Sequence, residues 1–224
     1  MDKFAVIVAG GSGSRMKSSI PKQFLQLCGK PILMHTLLVF YEYDPDIKII
    51  LVLPRADEAY WKELVDQHEF TVPHKIIHGG ASRFQSVKNG LSNINTTGVV
   101  AIHDGVRPFV DADTLEKLYT TAQARGNATT CVPMKESLRY VNPANSKNNS
   151  VSRNDYVVVQ TPQVFQVGLL QEAFRTEEQP WFTDDTSVFE HAGHHIVLVE
   201  GSYRNIKITT PEDMVIGEAL LQSK

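Results

Sequence analysis

The sequence predicts an α/β fold: a mostly parallel sheet with helices on both faces, and a protruding β-hairpin arm. Three observations predict it. Short β-branched apolar runs alternate with longer amphipathic stretches through the first 133 residues, as in successive βα units. Most of the strand candidates read as nearly continuous apolar runs, which is the pattern of strands covered on both faces. The rhythm then breaks at residues 134–156, where two β-like runs flank the polar stretch Asn142-Pro143-Ala144-Asn145. A chain of 224 residues fits one domain over 1–224 with that arm inside it.

In chain order, residues 4–9 read as a buried strand and run directly into glycines. A helix is expected over 31–40, where apolar residues recur on one face. Residues 48–53 (Lys-Ile-Ile-Leu-Val-Leu) are a strand, 57–68 a helix, 75–77 a short strand and 82–94 a helix, with Ser82 as its cap. The pattern repeats with a strand at 99–103, a helix at 113–125 and a strand at 128–133. Runs 137–141 and 150–152 form the hairpin around a polar tip. It is either a surface insertion or an arm that reaches a second subunit. Helices follow at 169–176 and 184–192, strands at 195–200 and 205–208, and a closing helix from Pro211, where Thr210 suits the cap and proline the first turn.

Composition narrows the function. Lys+Arg number 22 against 25 Asp+Glu, a net charge of −3, so no bulk positive charge is present to hold nucleic acid by counterion release. Hydrophobic content of 42% and charged content of 21% belong to a globular chain. The two cysteines, Cys28 and Cys131, are too few for a disulfide scaffold; they fit a reducing compartment and read as small core fillers. The apolar run at 4–9 is too short to span a membrane and lacks a signal peptide's basic start. A soluble cytoplasmic protein with neither membrane nor nucleic-acid partners is expected. His191, His194 and His195 lack the companions of a zinc site and read as a helix C-terminus. Trp61 and Trp181 read as packing residues.

Parallel sheets bind ligands at the carboxyl ends of their strands, so the loops after strands carry the chemistry. The first loop is Ala9-Gly10-Gly11-Ser12-Gly13-Ser14-Arg15, followed by Pro21-Lys22-Gln23. Its glycines let the backbone turn N–H groups toward a polyphosphate, and Arg15 and Lys22 supply cations. The plain alternative is a glycine-rich turn with solvated cations. No Gly-Lys-Ser/Thr follows, so it is not a P-loop. The second loop, Gly79-Gly80-Ala81-Ser82-Arg83, opens a helix on which Arg83 and Ser86 share a face; a solvated helix start would look the same. The third is His103-Asp104-Gly105-Val106-Arg107-Pro108. There Asp104 suits a metal or a ribose hydroxyl and Arg107 a phosphate, or the two brace the turn as an ion pair. Arg153, Gln160 to Gln163, Thr183-Asp184 and Asn205 to Thr209 gain meaning only if they converge in space.

Taken in order, these stretches resemble the 2-C-methyl-D-erythritol 4-phosphate cytidylyltransferase family. The resemblance runs nearly end to end: the Gly-rich loop with Arg15-Met16, Pro21-Lys22-Gln23, Arg83-x-x-Ser86-Val87, His103-Asp104-Gly105-Val106-Arg107-Pro108, Thr161-Pro162-Gln163, Thr183-Asp184 and Asn205-Ile206-Lys207. Gly105-Val106 departs from the family's commoner Ala-Ala, Ser137 stands where Thr is usual, and Ala81 where an acid can occur. The resemblance implies a Rossmann-like nucleotidyltransferase sheet, a homodimer through the 134–156 arm, and CTP and a sugar-alcohol phosphate as substrates, with Mg²⁺ held mainly by the CTP phosphates rather than by side chains. It implies Arg15, Lys22 and Lys207 as catalytic residues. Ala9, Gly10, Gly11, Ser12, Gly13, Gly80, Arg83, Ser86, Asp104 and Gly105 would bind CTP. The acceptor would be held by Asp104, Arg107, Thr161 and Lys207, with Ser137 and Arg153 reaching it from the arm.

The expected reaction sets its own requirements. A phosphate monoester has a second pKa of ~6 and is largely dianionic at neutral pH, so the nucleophile needs no general base. The obstacle is the approach of one polyanion to another. The catalyst must therefore supply positive charge and alignment, with no essential histidine. A ribitol 5-phosphate cytidylyltransferase is the nearest rival on the same fold. A dinucleotide-dependent oxidoreductase fits poorly, because Met16 stands where the third glycine belongs and Leu53-Pro54 where the ribose-binding acid belongs. A non-catalytic nucleotide-binding module would have no need of Arg15, Lys22 and Lys207 together.

Overall fold

The structure, a computed structural model, describes residues 1–10 and 20–223. The chain opens with β1 (Asp2–Val8), a small ribbon of β2 (Gln26–Leu27) and β3 (Lys30–Pro31), and α1 (Ile32–Tyr43). There follow β4 (Lys48–Leu53), α2 (Glu58–Gln67), β5 (Lys75–His78), α3 (Arg83–Leu91), β6 (Gly98–Asp104), α4 (Ala112–Arg125) and β7 (Asn127–Pro133). The second half holds the hairpin β8 (Leu138–Val141) and β9 (Asn148–Val151), the long strand β10 (Val157–Gln166), α5 (Val167–Ala173), α6 (Asp185–His191), β11 (Leu198–Glu200) and α7 (Pro211–Gln222).

Seven strands form one sheet in the order β11-β7-β10-β6-β1-β4-β5. β6, β1, β4 and β5 run parallel, as does β11 beside β7, while β10 is antiparallel to both of its neighbours. Successive side chains of a strand point to opposite faces. In β1, Ala5 and Ile7 join the core packed by Leu37 of α1, Trp61 of α2 and Leu118 of α4. Phe4 and Val6 join the opposite core with Val87 of α3, Leu170 of α5 and Phe189 of α6. Both faces of the sheet are thus dry, and the strand sequences are continuously apolar for that reason.

Side chains close the helix starts. Ser82 accepts the N–H of Gln85 at the head of α3, and Thr210 forms a capping box with Asp213 at the head of α7, where Pro211 takes the first turn. These termini follow the sequence reading.

Several expectations are corrected. β10 was not anticipated, because Gln160, Thr161, Pro162 and Gln163 interrupt its apolar pattern; these residues are buried, and the pairing with β7 shifts register between Val159 and Gln163. Residues 205–208, expected as a strand, are irregular: Asn205 spends its side chain on the Thr161 carbonyl, and only Ile208 makes a strand-like bond, to the Val106 carbonyl. Cys131 is buried, but Cys28 is exposed in the β2–β3 turn at φ 48°. Trp61 packs in the core, whereas Trp181 is 60% exposed. The hairpin stands as a separate two-stranded sheet with Tyr140 and Val141 exposed. Among the described residues, no helix is long and apolar enough to cross a membrane.

Candidate active site

Because β1, β4, β5 and β6 are parallel, their carboxyl ends open on one side of the sheet. The loops that leave them enclose a cleft of about 260 Å³. Ala9, Gly10 and Pro54 line it from β1 and β4, Gly80 to Arg83 and Ser86 from the β5–α3 turn, and Lys22 and Lys207 from elsewhere in the chain. A second pocket of about 300 Å³ lies alongside, lined by Arg107, Gln160, Thr161, Gln163 and Asp184. Arg83, Asp104 and Lys207 line both, and so form the partition between them.

The β5–α3 turn is built for close approach. The Ser86 hydroxyl donates to the Ser82 carbonyl at 2.8 Å and accepts the Gly80 N–H at 3.2 Å. A side chain at Gly80 would run into Cβ of Gln85, so glycine is required there. Gly105 lines neither pocket; its N–H donates to the Val8 carbonyl at 2.9 Å, and a Cβ would meet Cβ of Ala9 at 2.9 Å. It acts by letting the end of β6 sit against the floor of the cleft.

Asp104 closes β6 and is 8% exposed. Its Oδ2 accepts from Lys207 Nζ at 2.9 Å and Arg107 Nε at 3.2 Å. Burial pushes its carboxyl pKa up, but Lys207, Arg83 and Arg107 outweigh burial and hold it well below the usual carboxylate range. The acid therefore stays charged, and it gathers cations on the partition. The ion pair weighed for the Asp104–Arg107 turn is present, and it sits within the site rather than replacing it. Thr161 Oγ1 accepts the Asp104 N–H at 3.1 Å. Arg107 also donates to the Asn205 carbonyl at 2.9 Å, and Asn205 Nδ2 donates to the Thr161 carbonyl at 2.9 Å. The unanticipated strand β10 is thus what joins the 205–208 segment to the site.

Arg83 makes a two-pronged bond with buried Asp185, Nη1 to Oδ1 at 2.9 Å and Nη2 to Oδ2 at 2.6 Å. Desolvation works against the guanidinium, but Asp185, Asp104 and Asp184 more than compensate and raise its pKa further. His103 is different. It is fully buried, its Nε2 donates to the Arg107 carbonyl at 3.0 Å, and burial pulls its pKa down to about 4. His103 lines neither pocket, and its imidazole packs against the ring of Phe40.

Of the residues expected at the site, Ala9, Gly10, Lys22, Gly80, Arg83, Ser86, Asp104 and Lys207 meet around the first pocket, and Arg107 and Thr161 join the second. Gly11, Ser12, Gly13 and Arg15 lie outside the described residues. Ser137 and Arg153 line neither pocket within this chain; Arg153 Nη1 donates to the Lys135 carbonyl at 2.6 Å at the base of the arm. The Arg83–Asp185 pair escaped the sequence reading because its members lie 102 residues apart and no local pattern links them. Among the described residues, no group of three or more His, Cys, Asp or Glu side chains is arranged to hold a metal ion.

A cleft lined by glycines and cations, sharing a charged partition with a polar pocket, suits a nucleoside triphosphate and a second anion. Fold and site together define a nucleotidyltransferase. The family model for IspD, 2-C-methyl-D-erythritol 4-phosphate cytidylyltransferase, matches residues 4–223. The chain belongs to that family. A 2-C-methyl-D-erythritol 4-phosphate cytidylyltransferase of Bacteroides thetaiotaomicron is 49% identical over 221 residues, covering 99% of this chain and 100% of the relative. That of Bacillus velezensis is 38% identical over 227 residues, covering 100% and 97%. Among solved structures, the Thermus thermophilus enzyme of the same name superposes with TM-score 0.80 at 29% identity, covering 99% of this chain and 100% of that one. A 4-diphosphocytidyl-2C-methyl-D-erythritol synthase from Anaerococcus prevotii gives TM-score 0.83 at 27% identity, covering 99% and 96%.

Proposed function

We propose that the chain transfers CMP from CTP to 2-C-methyl-D-erythritol 4-phosphate, giving 4-diphosphocytidyl-2-C-methyl-D-erythritol and pyrophosphate, a step of non-mevalonate isoprenoid precursor biosynthesis. The observation that carries this reading is the partition of Arg83, Asp104 and Lys207 shared by two adjacent pockets. A triphosphate in one and a phosphate monoester in the other would meet at a cationic wall.

In the reaction, an acceptor phosphate oxygen attacks the α-phosphorus of CTP. A new P–O bond forms, the bond to the bridging oxygen breaks, and pyrophosphate leaves with that electron pair. Near neutrality the acceptor is largely dianionic, so no proton has to be removed. Lys22 and Lys207, with Arg15, stabilise the charge that builds on the α-phosphoryl oxygens, each such interaction contributing about 3–4 kcal/mol. Asp104 holds Lys207 and Arg107 in place rather than acting as a base. Arg107 and Thr161 bind the acceptor, and the Gly80–Ser86 turn binds the nucleoside.

The reading includes Mg²⁺ carried in mainly by the CTP phosphates: Asp104, the carboxylate common to both pockets, already holds Lys207 and Arg107 on Oδ2, and the ion when bound would supply charge neutralisation for the leaving pyrophosphate. The reading includes a homodimer in which the arm of a second copy brings Ser137 and Arg153 to the acceptor; exposed Tyr140, Val141 and Val157 on and beside the arm give such a contact apolar surface. It also includes a cytoplasmic location, in keeping with the free thiols of Cys28 and Cys131.

A pyrophosphate-release panel tests the function. It crosses CTP, UTP and ATP with 2-C-methyl-D-erythritol 4-phosphate and ribitol 5-phosphate. Release with CTP and the methylerythritol phosphate alone is expected. Preference for ribitol 5-phosphate, or no release at all, would contradict the reading.

A further inference from the structure

We propose that Asp185 is a positioning residue of the transfer reaction, fixing the Arg83 guanidinium from behind in the partition between the nucleotide cleft and the acceptor pocket. This deepens the cytidylyl-transfer reading and rests on it.

The geometry is asymmetric. The Asp185 side chain is 1% exposed and that of Arg83 is 32% exposed. The carboxylate is sealed in the protein, while the guanidinium lines both pockets. Both bonds run from the two terminal nitrogens to the two carboxylate oxygens. A guanidinium has about five N–H groups, so the pair uses two and leaves roughly three to meet ligand oxygens. An arginine is a long side chain with many rotamers; a two-pronged bond to a fixed carboxylate selects one of them.

Asp185 is itself held. It is the first residue of α6, directly after Asp184, whose Oδ1 accepts the Ser187 N–H at 3.0 Å and whose Oδ2 accepts from Gln163 Nε2 at 2.8 Å. Gln163 Oε1 accepts the Thr186 N–H at 3.1 Å. Gln163 lies on β10, so the head of α6 is tied to the central sheet on both sides of Asp185. Behind Arg83 lies a hollow in which Phe84, Phe174 and Phe182 share the lining with Glu178 and Asp184. Without the Asp185 carboxylate, Glu178 and Asp184 are competing partners for the guanidinium, and the side chain is free to leave the partition for them.

Charge alone makes the opposite prediction. Removing the negative charge of Asp185 leaves the partition more cationic, which by itself would tighten CTP. Positioning predicts weaker binding and slower turnover. The test therefore measures CTP affinity by calorimetry, and kcat and KM by pyrophosphate release, for wild type, Asp185→Asn, Arg83→Ala, Arg83→Lys and the Asp185→Asn/Arg83→Ala double variant. We expect Asp185→Asn to lower kcat/KM for CTP about 10–100-fold and weaken CTP binding in step, scaling from losses typical of breaking buried hydrogen-bonded charge pairs. The double variant should fall within about twofold of Arg83→Ala, because Asp185 acts through Arg83. Unchanged or tighter CTP binding by Asp185→Asn, or effects that multiply in the double variant, would overturn the proposal. If Asp185→Asn does not fold, Arg83→Lys decides: it keeps the charge without the two-pronged bond, and wild-type kinetics from it would overturn the proposal. Wild-type protein that binds CTP but releases no pyrophosphate with either acceptor would sink the transfer reading; the affinity comparison would still judge the role of Asp185.

Discussion

Replacing Lys207 with Met removes the ammonium that stands 2.9 Å from Asp104 Oδ2 and keeps most of the aliphatic stem. Two consequences follow at different scales. If Lys207 stabilises charge on the transferring phosphoryl group, kcat should fall about 10²–10³-fold, or roughly 3–4 kcal/mol of transition-state energy. The effect on stability is smaller. Breaking a fully buried ion pair costs ~3–5 kcal/mol. Here the Lys207 side chain is 39% exposed and Arg107 remains on Asp104, so about 1–2 kcal/mol is expected. For a chain of this size that lowers Tm by roughly 2–8 °C. The folded-state pKa of Asp104 is depressed, so its contribution is present above the ordinary value of 3.8 and is lost as pH falls through the folded-state value. The stability gap between wild type and variant should accordingly narrow in acid. Steady-state pyrophosphate release at pH 7, and thermal unfolding at pH 7 and again well below the ordinary carboxylate value of 3.8, measure both effects. A folded variant that keeps kcat within about threefold of wild type would refute the assignment of Lys207 to the reacting centre.

Three further outcomes are expected. His103→Gln should retain a substantial rate near neutrality and leave the shape of the pH–rate profile between pH 6 and 8 as in wild type, since His103 is buried with its pKa pulled to about 4; a loss comparable to that of Lys22→Ala would contradict the base-free mechanism. Gly80→Ala should raise KM for CTP at least ~10-fold, because the new methyl group collides with Gln85 and displaces the turn; unchanged saturation kinetics would show that the turn does not touch the nucleotide. Lys22→Ala subunits mixed with Arg153→Ala subunits should recover part of the lost activity if the arm of one copy completes the site of another, whereas verified mixed dimers without recovery would place Arg153 outside the site.

The legible part of the fold was the part with a period. β4 matched its expected span because Lys48–Leu53 is uninterrupted and both sheet faces are dry. Ser82 and Thr210 announced their helices through local bonds that a sequence displays directly. β10 did not announce itself, since its middle carries Gln160, Thr161 and Gln163. Those polar groups are satisfied by Ser202, the Asp104 N–H and Asp184, partners that only the tertiary fold supplies. The site was legible to the same extent. Residues in loops directly after strands, such as Gly80, Arg83 and Asp104, could be nominated from position alone. Asp185 could not, because its role depends on a residue far away in the chain and on burial that no motif records.

The most direct measurement is a crystal structure of the protein with CTP and Mg²⁺. The account predicts the cytidine against the Gly80–Ser86 turn and the α-phosphate between Lys22 and Lys207, with its far side open to the pocket of Arg107 and Thr161. A triphosphate bound away from both lysines, or an α-phosphate walled off from that second pocket, would contradict it.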